Sequence, residues 1–434
     1  IAKSQFYLQL ILVFIITIVF AGIFPALYVA NFETLKVLRG NYDRSKSGIW
    51  FRNGMLIVQF AIASFFIIGS VIVYQQIKYL NNKDLGFKGD QVMAISLNLP
   101  SSYYQGENAG KNIFERYNTI KQELSKIKGV EKVSTGLLSF DGADDSQWPI
   151  WYQDVLFKQK AIGLDYDMLN LLNVKIIKGR NLSPNMASDT INSVLVNEKS
   201  LSLMQIKDPI GKEIKIGNQK MKIIGVVKDF NLLSPEVDVP PVTFYHIKSL
   251  DMASEMNRIY VKLKADQIQN SIAAIEKFWK AKVDTEYPFQ YDFADKEYAR
   301  TYESYVKQKN LFSLLNIVVI LIALFGLFAL ASYSIQRRMK EIAIRKTLGA
   351  DTNVLLKELS KQYVLYCIIG FLLAVVPAYT LLQKWLNNFA FRIEIPVLPF
   401  LISFVFLLTL TLIIVLAKAY QATKSDVLKY LKYE

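Results

Sequence analysis

Few residues in this 434-residue sequence could carry covalent or metal chemistry, and they are scattered. There is one histidine, His246, and one cysteine, Cys367. His246 has no Cys and no second His near it, so a structural or surface role is expected rather than a metal site. Cys367 lies in an apolar run, and a single cysteine forms no internal disulfide. Neither G-x-S-x-G nor H-E-x-x-H occurs, and there is no G-x-x-x-x-G-K-[ST] phosphate loop. The chain is therefore expected not to be an enzyme and to bind no metal or cofactor of its own. In SFDGADDSQW, Asp141, Asp144 and Asp145 lie close together but lack the EF-hand spacing and its closing Glu, which favours a solvated turn. Beside them, Trp148 and Trp151 in WPIWY are candidates for contact with an apolar ligand, with core packing as the plainer alternative.

The densest chemistry is electrostatic. Residues 337–350 read RRMKEIAIRKTLGA between two long stretches without charge. On a helix, Arg338, Glu341 and Arg345 share one face, where opposite charges three and four apart support each other. Met339, Ile342 and Ala343 fall on another face. Gly349 is a plausible C-cap, and Asp351 or Thr352 can cap a following helix whose apolar positions begin at Val354 and Leu355. A short basic amphipathic helix can lie on anionic lipid headgroups or dock a partner protein; the pattern alone leaves both open.

The elements around this segment are long and apolar. Five charge-free windows, 6–30, 54–77, 311–335, 362–383 and 397–417, each reach the length of about 20 residues that crosses a bilayer in helix. The first is too long for a signal peptide, and no small-residue cleavage site follows it. The net charge of +14 is not spread evenly. The segments 31–52, 336–361 and 418–434 hold a surplus of nine positive charges, whereas 78–309 holds a surplus of three. Lys- and Arg-rich loops beside spans are cytoplasmic by the positive-inside rule. The basic balance thus reports topology, and no nucleic-acid partner is expected. The windows also lack the buried ionisable residues that ion-coupled carriers place in the bilayer, which disfavours that class.

Residues 78–309 alternate strand-like and helix-like pieces. Strands are expected at 92–97, 130–138, 194–197, 221–227, 259–264 and 289–293, and helices at 113–128 and 267–282. From Lys296 no Gly or Pro occurs before Gly326, so one unbroken helix is expected to lead into the bilayer. The stretch YVANFETLKVLRG from Tyr28 echoes YQATKSDVLKYLK from Tyr420, as though 6–30 were the last span of an earlier, equivalent unit. The start at Ile1 fits the C-terminal half of a longer protein or a processed piece. The expected fold class is a multi-span α-helical membrane protein with a large α+β extracytoplasmic domain inserted after the span at 54–77.

RRMKEIAIRKTLGAD closely resembles the motif after the second span of FtsX-like ABC transporter permeases, the group that includes the MacB type. IGLDYDMLNLLNVKIIKGRNL, SVLVNEKSL, DPIGKEIKI and KIIGVVKDFN resemble successive blocks of the MacB-type periplasmic core domain, and AYQATKSDVLKYLKYE is similar to the family's terminal helix. The resemblance implies a last span of a preceding unit (1–30), a cytoplasmic linker (31–53), span 1 (54–77) and a periplasmic core domain with stalk helices (78–309). Span 2 (310–335), a cytoplasmic coupling segment (336–361), span 3 (362–383), a short periplasmic loop (384–396), span 4 (397–417) and a cytoplasmic tail (418–434) then follow. It further implies an ABC ATPase dimer on the cytoplasmic side, which would hold ATP and Mg, and a second permease unit, with the echo at Tyr28 favouring an N-terminal fusion. The expected home is the bacterial inner membrane, with a periplasmic adaptor or outer-membrane channel as a further candidate partner. By position, Arg337, Arg338, Glu341, Ile342, Arg345, Lys346, Gly349 and Ala350 would face the ATPase. The expected task is export of an amphiphilic substrate by mechanotransmission; the alternative is FtsX-type signalling to periplasmic cell-wall hydrolases.

Overall fold

A computed structural model describes residues 4–19, 46–140, 147–231, 233–234, 236–283 and 287–424. Both the acidic turn at 141–146 and the stretch from Tyr28 to residue 45 lie outside the described residues. The chain divides into two compact units, one made of residues 1–68, 315–378 and 397–434, the other of 69–314 and 379–396.

The apolar windows become helices. They are α1 (Ser4–Ile18), α2 (Lys46–Asn82), α6 (Glu303–Arg337), α8 (Thr352–Leu386) and α9 (Leu398–Lys424). Four of these are long and apolar enough to span a bilayer; for window 6–30 only the portion to residue 19 is described. Within the first unit, Leu56, Phe60, Ala63 and Ile67 repeat at helical spacing along α2 and pack with Ala323, Leu327 and Ala331 of α6, and with Cys367 and Leu407. The opposite faces are equally apolar but exposed, as at Phe325 (71%) and Leu372 (61%). A helix apolar all round needs lipid or protein on every side, so those faces call for one or the other.

The second unit contains two sheets. Strands β1 (Val92–Ser96), β2 (Val130–Thr135), β10 (Arg258–Leu263) and β11 (Tyr291–Phe293) form an antiparallel sheet in the order β11-β1-β10-β2. Alternation along β1 splits its side chains between two cores. Met93 and Ile95 pack with α3 (Ala109–Leu124) and α4 (Ile268–Lys282), through Ile113, Tyr117, Ile275 and Trp279. Val92 and Ala94 join Leu138, Phe140, Ile162 and Leu164 in the other core.

The second sheet comprises β3 (Trp148–Tyr152), β4 (Val155–Leu164), β5 (Ile176–Gly179), β6 (Ser193–Asn197), β7 (Glu213–Ile216), β8 (Gln219–Val227) and β9 (Val242–His246). Its order is β5-β8-β6-β9-β4-β3-β7, with β7 also pairing β8. Six strands therefore close into a ring, with β5 attached outside it at β8, and the ring pairs the edges those six strands would expose as an open sheet. Ile150, Val194, Val196, Ile216, Ile223 and Tyr245 form one apolar cluster within it.

This arrangement agrees with the expected α+β class and corrects several details. The helix expected at 113–128 spans Ala109–Leu124, and the strand expected at 130–138 stops at Thr135. The unbroken helix expected from Lys296 is two helices, α5 (Ala294–Arg300) and α6, parted at Thr301 and Tyr302. No Gly or Pro was needed for that break. The Thr301 hydroxyl donates to the Tyr298 carbonyl (2.7 Å), the local side-chain-to-backbone competition that ends helices. Tyr298 is buried in the core, with Tyr302 packed against it.

Candidate coupling site

The charged segment forms α7 (Met339–Thr347), a short helix between α6 and α8. Its apolar side is buried. Met339 (7% exposed) and Ile342 (5%) pack with Ile335, Leu355, Leu359 and Ala419. Burial of such side chains is worth about 1.5–3 kcal/mol each, so these contacts hold the helix to its neighbours.

The polar side is organised by Arg345. Its guanidinium reaches Glu341 Oε1 at 2.7 Å and Glu358 Oε2 at 2.6 Å. All three side chains are about half exposed, and such pairs contribute only about 0–1 kcal/mol. They fix the orientation of α7 against the first turns of α8 rather than its stability. Glu358 was not singled out from sequence: it lies 13 residues beyond Arg345, and only the turn between the helices brings them together.

That turn is built by Gly349, at φ +89°. The Ala350 N–H donates to the Arg345 carbonyl (3.0 Å) and the Gly349 N–H to the Lys346 carbonyl (3.1 Å), the two bonds of a Schellman ending. Asp351 Oδ1 then accepts from the Asn353 N–H (3.1 Å) and caps α8. A Cβ at position 349 would meet no atom within 4 Å, so a substitution there is opposed by backbone conformation alone. Gly349→Ala should cost about 1 kcal/mol and speed amide exchange at Leu348 and Ala350 about fivefold. Unchanged exchange would show that the turn does not hold this geometry in solution.

Away from the docked face, α7 ends on exposed apolar side chains, Ile344 (42%) and Leu348 (81%). The expected residues thus divide by position. Ile342 is buried, Arg345 and Glu341 form the ion-pair fork, and Gly349 and Ala350 form the turn. Lys346 lies on the partly exposed side. Arg337 ends α6, and its guanidinium sits 5.5 Å from the Tyr333 ring centre. Arg338 lines a narrow cleft with Glu341, Arg345 and Glu358.

The other candidates lie in the second unit. Trp148 is partly buried against the ring's apolar cluster, while Trp151 is 39% exposed on the β3–β4 hairpin. His246 is buried at 1% exposure beside Tyr166 and Phe114. Among the described residues no group of three or more His, Cys, Asp or Glu is placed to hold a metal ion.

The described residues thus combine four candidate spans with a large α+β domain placed in sequence between the first and second of them. The MacB-like periplasmic core domain family matches residues 55–278, just over half of the chain, and the FtsX-like permease C-terminal family matches 313–427. The chain belongs to the MacB and FtsX type of ABC transporter permeases. It is 22% identical over 324 residues to the ABC transporter permease YknZ of Bacillus subtilis (strain 168), covering 72% of this chain and 78% of YknZ. It is 25% identical over 232 residues to the macrolide export ATP-binding/permease protein MacB of Neisseria gonorrhoeae, covering 52% of this chain and 35% of MacB. The chain thus spans about a third of the length of that MacB. The crystal structure of the periplasmic region of MacB from Actinobacillus actinomycetemcomitans aligns at a TM-score of 0.36 and 15% identity, covering 50% of this chain and 95% of that one.

Proposed function

We propose that this permease couples ATP hydrolysis in a partner ABC ATPase to movement of its outer domain, and that the movement drives export of an amphiphilic substrate. The observation that carries the reading is the mounting of α7. It is fixed to the ends of the spans by Met339 and Ile342, while Ile344 and Leu348 stand exposed beside Arg345 and Lys346. An apolar pair rimmed by cations suits a protein partner better than water.

In this reading Arg337, Arg338, Glu341, Ile342, Arg345, Lys346, Gly349 and Ala350 form the ATPase-facing element on the cytoplasmic side. ATP and Mg are held by the partner, since the sequence has no phosphate loop. Closure of the ATPase pair moves α7, and α2 and α6 carry the displacement along their length. The core domain acts on substrate in the periplasm, in the inner membrane setting that the basic loops favour. A second permease unit completes the translocator, and an adaptor or outer-membrane channel can extend the path. Export is preferred over signalling because the core-domain match is of the MacB type, and the MacB relative is named for macrolide export.

The test is purification of the full-length protein from its native cells in mild detergent, with identification of what stays bound. A P-loop ATPase should co-purify, and Leu348→Ser and the Glu341→Lys/Arg345→Glu pair should each reduce it by about tenfold or more. Leu348 is so exposed that its replacement leaves the fold intact. No ATPase, even after gentle cross-linking, would sink the coupling reading. An ATPase indifferent to amphiphiles, with an outer domain that binds a hydrolase activator, would favour FtsX-type signalling.

A further inference from the structure

The second unit holds a cavity of about 560 Å³ at one end of the antiparallel sheet. The register of that sheet supplies one wall. Ala94 pairs with Asp292 and Ser96 with Arg258, and the Ser96 N–H donates to the Gln290 carbonyl (3.0 Å). Directly opposed residues point to the same face of a sheet, and these side chains line the cavity together. Glu297 and Arg300 of α5 add to the lining, as do the rings of Phe289 and Tyr291, whose centres are 5.4 Å apart.

Glu297 is 5% exposed. Its Oε1 accepts from Arg258 Nη1 (2.6 Å), but its Oε2, also buried, has no hydrogen-bond partner among the described residues. A carboxylate oxygen taken out of water without a donor is a costly thing for a domain to keep, and this one belongs to a cavity wall. The rest of the wall says which donor fits. Two carboxylates, Glu297 and Asp292, are matched by two guanidinium groups, since Arg258 pairs with Glu297 and Arg300 with Asp292. A charged ligand would bring one unbalanced charge into this lining, and a neutral one brings none.

A guanidinium carries five N–H donors, more than its one carboxylate engages, and Ser96 and Gln290 side chains both donate and accept. The matching ligand donates at one atom, accepts at the next and stays neutral. Adjacent hydroxyl groups of a sugar ring do this, and the C–H face of the same ring suits the negative π-face of Phe289 or Tyr291. The volume falls within the range of about 300–1,000 Å³ for small-molecule sites. A peptide would dock by adding a strand to a free sheet edge, whereas Ser96 and Arg258 belong to β1 and β10, which are paired on both sides.

We propose that this cavity binds a neutral saccharide, one hydroxyl donating to Glu297 Oε2 and its neighbour accepting from Arg300. The site is built from the outer domain alone, and its binding needs no ATPase.

The experiment is saturation-transfer NMR on the full-length protein in a detergent without a sugar headgroup. Maltose, lactose, trehalose and N,N′-diacetylchitobiose are added separately. At least one should bind with a Kd of about 1 mM or tighter. Glu297→Gln, which puts an amide at the carboxylate, should weaken binding about tenfold. Arg300 is exposed, so Arg300→Gln leaves the buried pair intact; it should weaken binding about threefold or more. Lys280→Gln, which removes the same charge from an exposed position of α4, should leave binding unchanged. No binding of any of these sugars up to about 20 mM would overturn the proposal. So would binding that Arg300→Gln leaves unchanged, or that Lys280→Gln weakens equally. Binding of N-acetyl-tetraalanine amide in place of the sugars would assign the cavity to peptide and overturn it as well.

Discussion

Asp165→Ala should destabilise the outer domain by roughly 3–5 kcal/mol, the range for removing one partner from a buried charged network. Asp165 is 4% exposed. Its Oδ2 accepts from the Tyr117 hydroxyl (2.5 Å) and the Lys121 ammonium (2.8 Å), and its Oδ1 from the Tyr166 N–H (2.9 Å). His246 Nδ1 accepts from the Lys248 N–H (3.3 Å), which leaves the ring proton on Nε2, 3.7 Å from Oδ1. That distance is too long for a hydrogen bond, so the imidazole acts on Asp165 as a nearby dipole. The carboxylate joins α3 to the ends of β4 and β9. Without it the buried Tyr117 hydroxyl loses its carboxylate acceptor and keeps only Ser134 beside it, a loss of about 1–3 kcal/mol by itself. Near-UV circular dichroism of the solubilised protein should show the domain melting on the order of 10 °C lower. A shift within about 2 °C would mean that the stranded groups find water instead.

The same group predicts a pH dependence. Burial alone would raise the Asp165 carboxyl, but the His246 imidazole, the Lys121 ammonium and the Tyr117 hydroxyl outweigh it and hold it well below the usual carboxylate range. A carboxyl depressed by folding contributes stability in full above its unfolded value of about 4, and loses it as pH falls toward the folded value. The gap in stability between the native protein and Asp165→Asn should be constant above about pH 5 and narrow as acid is added.

The second large effect lies in the membrane unit. Gly370→Leu should prise α8 from α2. A Cβ at Gly370 would sit 2.6 Å from Phe60 Cβ, 2.8 Å from the Ile57 carbonyl oxygen and 3.1 Å from the Ala61 nitrogen. Two of these are backbone atoms and the third is attached directly to it, so none can rotate away. Overpacking of this kind costs about 3 kcal/mol, and association of spans rests on such close approach of small residues. Cys367, one turn away and 1% exposed, is the natural reporter. Its labelling by an apolar maleimide should speed up on the order of tenfold or more in Gly370→Leu. It should be unchanged in Leu372→Ala, whose side chain is 61% exposed. Slow labelling in both would show that the helices can separate slightly without opening the core.

Both effects turn on residues that sequence patterns passed over, and the reason is physical. The sequence by itself determined what depends on near neighbours and on composition. Charge-free runs of bilayer length make spans, and the spacing of Met339 and Ile342 makes an amphipathic helix. Gly349 marks its end, because almost no other residue adopts a φ of +89° without strain. The family followed from ordered blocks of residues at the right places between the spans. Tertiary structure alone decided what depends on distant chain segments meeting. It brought Glu358 to Arg345 and closed six strands into a ring through the pairing of β7 with β8. It paired β3 with β4 through a two-residue turn at Gln153 and Asp154, both at positive φ, where neither residue is the glycine that would have announced it. It also set Asp165 beside Tyr117 and Arg52 beside Tyr333. A buried carboxylate and a solvated one read alike in a sequence, because what separates them is whether partners arrive from other elements to replace the water.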